Sequence, residues 1–223
     1  KYEGARKEFE KGGKRNIEFV LTSQELIRLI KEAGIDYANI KPENIEEHYG
    51  NTTGAAVLFG VTGGVTEAAL RYATPDKTEA GYKAIAESGI RGLPHPDAKA
   101  GTLVDGIKVA EVKLGDATLR IAVVSGLANA VTLIDRIKAG EHFDFAEVMA
   151  CPGGCIGGGG QPPADWDVKA ERAKGLYLAD KQYPLNSSEK NPVMKEWIDG
   201  VLKGPHTPHE VLHVSYGHGH GGH

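Results

Sequence analysis

The chain has 223 residues, 40% hydrophobic and 25% charged, an ordinary globular composition with enough length to bury a core. A formal net charge of −4 offers no basic face to nucleic acid or anionic membrane. No run approaches the roughly 18 unbroken apolar residues of a membrane span, since IAVVSGLANAVTLI (121–134) is interrupted by Ser125, Gly126 and Asn129. Two cysteines are too few for a disulfide framework and fit thiol chemistry or metal ligation in a reducing compartment. The expected location is the cytoplasm, with the periplasm as the alternative. No secretory signal heads the sequence as it stands, which begins at Lys1.

Residues 1–15 are charged and read as exposed helix or coil, and NIEFVLT (16–22) reads as a strand. Thr22 and Glu25 form a capping-box pattern ahead of a helix with Leu26, Ile27, Ile30 and Ala33 on one face, stopped by Gly34. Residues 35–53 are polar connection. Residues 54–73 hold a short apolar run, a bend at Gly60, Gly63 and Gly64, and a helix through Arg71. A bend of this kind presents free backbone N–H groups to an anion or cofactor. Residues 74–103, with Pro75, Pro94 and Pro96, read as an irregular excursion.

GIKVAEVKLGDATLRIAVVSG (106–126) predicts a hairpin turning at Gly115-Asp116. LANAVTLIDRIKAG (127–140) predicts a helix with Leu127, Val131, Ile134 and Ile137 inward, closed by Gly140. FDFAEVMA (143–150) predicts a buried strand whose C-terminal end delivers both cysteines, and in open α/β sheets ligands sit at that end. Helices are predicted near 165–177 and 192–202, with Asp165 as an N-cap, before a His/Gly-rich tail. Alternating strands and helices make the chain α/β. Thirty glycines, about twice the usual ~7% share, are the compositional anomaly.

The glycines crowd around the thiols. In EVMACPGGCIGGGGQPP (147–163), Cys151 and Cys155 stand among Gly153, Gly154 and Gly157 to Gly160. Such a loop neither packs a core nor holds a regular helix, but it curls tightly around a bulky group and aims N–H groups at sulfur. The C-x-x-x-C spacing alone leaves zinc open, with histidines completing the set. The glycines favour a larger group, an iron–sulfur cluster.

This stretch resembles the third cluster motif of the iron-only (FeFe) hydrogenases, E-x-M-x-C-x-x-G-C-x-x-G-G-G-Q-P, in register from Glu147 to Pro162. NTTGAAVLFGVTGGVTEAALR (51–71) is similar to that family's glycine-rich bend and helix, and HEVLHVSY (209–216) to its C-terminal end. The resemblance implies the C-terminal lobe of the catalytic domain, a mixed sheet flanked by helices over 1–205, followed by a C-terminal segment with a His/Gly-rich tail, 206–223. It implies an H-cluster, a 4Fe–4S cubane joined through one cysteine sulfur to a diiron unit with CO, CN⁻ and a dithiolate bridge. By resemblance Cys151 holds the cubane and Cys155 holds it and bridges to the diiron unit. Met149, Phe59 and Gly154 line the same site, and the activity is 2H⁺ + 2e⁻ ⇌ H₂.

The family's other cysteine motifs, T-S-C-C-P and P-C-x-x-K-x-x-E, are absent from these residues, and Glu3 fits only the closing Glu of the second. The chain therefore reads as half of a site. Its implied partners are an N-terminal half of the domain, on the same or a separate chain, and a ferredoxin or iron–sulfur subunit that supplies electrons. No nucleotide fingerprint of the G-x-G-x-x-G type follows a strand. Non-catalytic relatives that serve iron–sulfur assembly or sensing are the alternative.

Two other patterns compete with this reading. HEVLH (209–213) matches H-E-x-x-H, but Pro205 and Pro208 precede it and Gly217 follows, so an ordinary helical turn is the better reading than a zinc peptidase. Glu67 and Arg71, one helical turn apart, read as an exposed pair.

Overall fold

The computed structural model describes residues 1–41, 43, 52–91 and 106–203. A two-stranded ribbon, β1 (Glu10–Lys11) and β2 (Lys14–Arg15), precedes helix α1 (Ser23–Glu32). The expected strand at 16–22 does not form, and Phe19 there is 85% exposed. Apolar residues alone do not make a strand, and no neighbouring strand among the described residues offers this segment a ladder. The capping box does form: the Thr22 hydroxyl accepts from Glu25 N at 3.2 Å, and the Glu25 carboxylate accepts from Thr22 N at 2.8 Å. Gly34 adopts φ +68° just past the helix end. None of the α1 side chains is buried.

Short helix α2 (Gly54–Val57) runs into a 3-10 turn at Leu58–Gly60 and, past the glycine bend, into α3 (Gly64–Ala73). The excursion expected at 74–103 contains a helix, α4 (Glu79–Ala86). Its Thr78 cap accepts from Gly81 N, and its Tyr82 and Ile85 are buried. The sequence carries that signal in Thr78 and in the helical spacing of the two apolar residues, but Pro75 overshadows it.

The main sheet has the order β3–β4–β5. Strands β3 (Ile107–Leu114) and β4 (Ala117–Ser125) form the predicted antiparallel hairpin around Gly115-Asp116, with Gly115 at φ +64°. Helix α5 (Leu127–Lys138) then crosses over to β5 (Phe145–Met149), which pairs parallel with β4. Strand β4 is buried on both faces. Ile121 and Val123 pack with Leu70, Ile85, Ile90, Ala110 and Val112, whereas Ala122 and Val124 pack with Leu133 of α5.

The α5 expectation fails in detail. Leu127, Val131, Ile134 and Ile137 are 48–63% exposed, and the helix seats Leu133 and Ala130 on the sheet instead. This helix is apolar on two faces, so periodicity could not choose between them. Strand β5 was expected to be buried; it is an edge strand whose one buried residue is Glu147, with Phe145 and Val148 more than 40% exposed.

Helix α6 (Trp166–Gln182) starts at the predicted Asp165 cap, whose carboxylate accepts from Val168 N at 3.0 Å. Helix α7 (Pro192–Asp199) completes the described chain with a 3-10 turn at Val201–Lys203. The pair read as exposed, Glu67 and Arg71, belongs to a buried cluster of four charges. Arg71 donates to Glu67 and to both oxygens of Asp180, and Arg91 donates to the same two carboxylates at 2.6–2.7 Å. Glu67, Arg71 and Asp180 are all under 5% exposed. Two cations and two anions cancel, so three segments are locked together without a buried net charge.

Burial works to raise the Asp180 carboxyl, but Arg71 and Arg91 outweigh it and hold the group below the usual carboxylate range. A depressed folded value contributes stability above the unfolded value and loses it as pH falls through the folded one. The contribution is therefore complete at neutral pH and fades only below about pH 4. Asp180→Asn should lower the unfolding free energy by about 3–5 kcal/mol at pH 7. Glu32→Gln, which breaks an exposed pair with Arg28, should change it by under about 1 kcal/mol. Urea titrations of the two variants check both numbers.

Candidate functional site: a glycine cradle for two thiols

Strand β5 ends at Met149, and its last inward residue fixes where the following loop begins. The Glu147 carboxylate accepts from Gly63 N at 2.7 Å, Thr66 N at 2.7 Å and the Thr66 hydroxyl at 2.8 Å, all buried. These donors are the first turn of α3, opened by Gly63 at φ +88°. An anion there meets unsatisfied N–H groups and the positive end of the helix dipole, which offsets its desolvation.

The loop then turns tightly on the same bend. Gly154 N donates to Cys151 O at 2.9 Å across Pro152-Gly153, with Gly153 at φ +90°, the dihedral pattern of a type II turn. Gly153 O accepts from Thr62 N, and Gly153 N donates to the buried Ser125 hydroxyl at 2.8 Å. Gly154, at φ +94°, lies so close to the bend that a Cβ would sit 2.8 Å from both Gly60 O and Thr62 N. Only glycine satisfies both the dihedral and the space.

Cys155 follows in a 3-10 turn, Cys155–Gly157, and is exposed, while Cys151 is half-buried. A Cβ on Gly158 would stand 3.2 Å from the Cys151 sulfur, so glycine keeps that sulfur uncrowded. Arg172 of α6 clasps the far side, donating to Ile156 O at 2.8 Å and Pro162 O at 3.0 Å. Ile156 packs with Val61 and Ala173 beneath the loop. From the other side Gln24 N donates to Gly160 O and Gln24 Nε2 to Gln161 O.

The residues singled out by sequence thus fall into two groups. Met149, Cys151, Gly154 and Cys155 lie on one strand end and loop, and Gly154 brings the Gly60–Thr62 bend against it. Phe59, half exposed, lines a cavity of about 330 Å³ with Thr53, Ala56, Ala69 and Tyr72. The His/Gly tail and HEVLH lie outside the described residues. Sequence reasoning assigned no role to Glu147, Ser125 or Arg172. Glu147 carried a signal, being an acidic residue in the middle of an apolar strand, whereas Asp144 stands at its edge.

Among the described residues no group of three or more His, Cys, Asp or Glu side chains converges as a metal site. The donor set is two thiols on a glycine loop. This is soft-donor chemistry that fits half of an iron–sulfur cluster's ligands and falls short of a closed zinc site.

The family model described as "Iron only hydrogenase large subunit, C-terminal domain" matches residues 1–159, and that described as "Iron hydrogenase small subunit" matches 167–218. The chain is 43% identical over 220 residues to the NADP-reducing hydrogenase subunit HndD of Solidesulfovibrio fructosivorans, covering 97% of this chain and 36% of that protein. It is 36% identical over 228 residues to iron hydrogenase 1 of Clostridium pasteurianum, covering 97% and 37%. A variant of the FeFe hydrogenase HydA1 from Chlamydomonas reinhardtii aligns in structure with a TM-score of 0.62 and 32% identity, over 96% of this chain and 60% of that one. The chain spans little more than a third of the length of these curated relatives.

Glu147→Gln tests the anchor, because the amide keeps one accepting oxygen and sets a nitrogen, which cannot accept, against either Gly63 N or Thr66 N. The exchange should cost about 1–3 kcal/mol of stability. It should also speed proteolysis within 151–160, measured as the nicking rate under limiting protease. Wild-type nicking would show that the loop does not depend on this carboxylate.

Proposed function

Because the chain belongs to the iron-only hydrogenase family, we propose that it is the C-terminal part of a hydrogenase catalytic domain and supplies half of an H-cluster site. The observation that carries this reading is the two-thiol glycine loop bolted to the Gly63–Thr66 helix start. Cys151 would hold the cubane, and Cys155, the more exposed thiol, would hold it and bridge to the diiron unit. Met149 lies two residues before Cys151 and would pack beside the diiron unit through its polarisable sulfur. Phe59 opens on its own cavity, apart from the thiols. Its expected place beside the diiron unit rests on the resemblance and on its neighbour Gly60, which Gly154 abuts. Gly154 would keep the backbone close. When bound, the cluster supplies the redox chemistry that joins two protons and two electrons into H₂.

The chain's own contribution is positional. Its two thiolates, fixed by a loop with hydrogen bonds on both sides, would present half of a ligand set whose other two thiolates lie outside this sequence. Residues 1–205 would then form one portion of the catalytic domain, and 206–223 a C-terminal segment. The rest of that domain would cover the apolar side chains left exposed on α1 and α5, including Leu26, Leu29, Leu127 and Val131. Electrons would arrive from a ferredoxin or an iron–sulfur subunit, in the cytoplasm or, as the alternative, the periplasm. A non-catalytic role in cluster assembly is the weaker reading, because Met149 and the full G-G-G-Q-P ending are those of the catalytic motif.

The test is iron content and hydrogen evolution, measured for this chain alone and for the chain matured together with a segment carrying the other two cysteines. The chain alone should bind substoichiometric iron and evolve no hydrogen, and the assembled protein should gain both. In the assembled protein Cys155→Ser should abolish turnover, a loss of more than about 100-fold, since one ligand serves both halves of the cluster. Full activity from the isolated chain, or wild-type turnover in Cys155→Ser, would overturn the reading.

A further inference from the structure

Gly153 is the middle residue of the C-x-x-x-C stretch, buried and two positions from each thiol. Its N–H donates to the Ser125 hydroxyl at 2.8 Å, and its carbonyl accepts from Thr62 N at 3.3 Å. At φ +90° the position requires glycine, so no side chain is there to pack and hold the turn. The turn between the cysteines is therefore seated by these two hydrogen bonds and by the close fit of Gly154 on Gly60–Thr62.

Ser125 is the only side chain in that arrangement, and it is rigidly placed. It ends β4, paired in register with Met149 at the end of β5, and is 4% exposed. Its N–H donates to Gly106 O at 2.7 Å, its carbonyl accepts from Asn129 Nδ2, and Gly126 N donates to Met149 O at 2.7 Å. The four residues before it, Ile121 to Val124, are apolar and buried. A fifth apolar residue would bury equally well but would offer Gly153 N no acceptor.

We propose that Ser125 is a positioning residue for the cluster: by accepting from Gly153 N it keeps the Cys151–Cys155 turn seated, so that the two thiolates act as a pair. The proposal rests on the reading that these cysteines hold a cluster, which Ser125 does not itself touch. The amide has a partner in the seated turn and finds water when the turn lifts. Removing the hydroxyl orphans it only in the seated state, which shifts the balance toward the lifted turn by about tenfold. Two thiolates on a lifted turn release iron one at a time, so iron loss quickens by the same factor.

The experiment compares wild type, Ser125→Thr and Ser125→Val in the chain assembled with the remainder of its catalytic domain. Threonine and valine share a shape, and only threonine offers an accepting oxygen. One readout is the rate of iron loss to a ferrous chelator; the other is nicking within 151–160 before iron is loaded. Ser125→Thr should behave as wild type in both, and Ser125→Val should be about tenfold faster in both. Val112→Ala, in the core formed with Leu70 and Ile85 away from the loop, supplies the control for general destabilisation. It should lower the thermal midpoint and keep the wild-type rate of iron loss. If added bulk unseats the turn in both Ser125 variants, Ser125→Ala replaces Ser125→Val, and faster iron loss than wild type supports the proposal. Wild-type iron loss without the hydroxyl, or equal acceleration by Val112→Ala at a matched midpoint, overturns it and leaves the cysteine assignment standing. A wild-type assembly that holds no iron overturns the cysteine assignment, and this proposal with it.

Discussion

The site depends on one buried carboxylate. Glu147 is the one buried residue of an edge strand and accepts three hydrogen bonds from the first turn of α3. A lone carboxylate in a core would be excluded by its desolvation cost. Here the free N–H groups of a helix start have the same need for a partner, and each solves the other's problem. The consequence is geometric. The strand that leads to Cys151 is pinned to the bend that contains Phe59 through Gly64, two segments more than 80 residues apart in sequence. Once they are pinned, Gly153 and Gly154 can lie flat on Gly60–Thr62, and the cysteines leave the loop in a fixed direction.

A second constraint holds the platform from behind. The cluster of Glu67, Arg71, Arg91 and Asp180 joins the body of α3 to α6, and α6 in turn clasps the cysteine loop through Arg172 and Ala173. Its charges balance, so burial is tolerated, and it ties α3 to α6 at a defined place. This linkage runs between the stretch similar to the hydrogenase large subunit and the stretch similar to the small subunit. The loop is thus supported on three sides, by the distant α1 and Gly60–Thr66 bend and by α6 that follows it, while Cys155 stays exposed.

Much of this was legible in the sequence where the signal was local. The hairpin at Gly115-Asp116, the Thr22–Glu25 capping box, the Asp165 cap and the delivery of both thiols by the last strand all follow from short-range patterns. What failed was tertiary. The apolar run at 16–22 found no ladder partner, and α5 turned a different stripe inward because both of its stripes are apolar. Glu67 and Arg71 look like any exposed helical pair until Asp180 and Arg91 arrive from 113 and 24 residues away. The α/β class was correct because alternation of strand and helix survives such errors, and the mixed sheet is the one that the resemblance implied. In the site, the motif marked the residues, but only the structure shows why glycine must occupy position 154.

The central claim is that two thiols on this loop become half of an H-cluster when the other two cysteines are supplied. An infrared spectrum of the assembled protein tests it most directly, because CO and CN⁻ ligands absorb in a window free of protein bands. The account predicts these bands in the assembled wild type and their loss in Cys155→Ser. A wild-type spectrum with a full complement of iron and no CO or CN⁻ bands would contradict it and favour the non-catalytic reading.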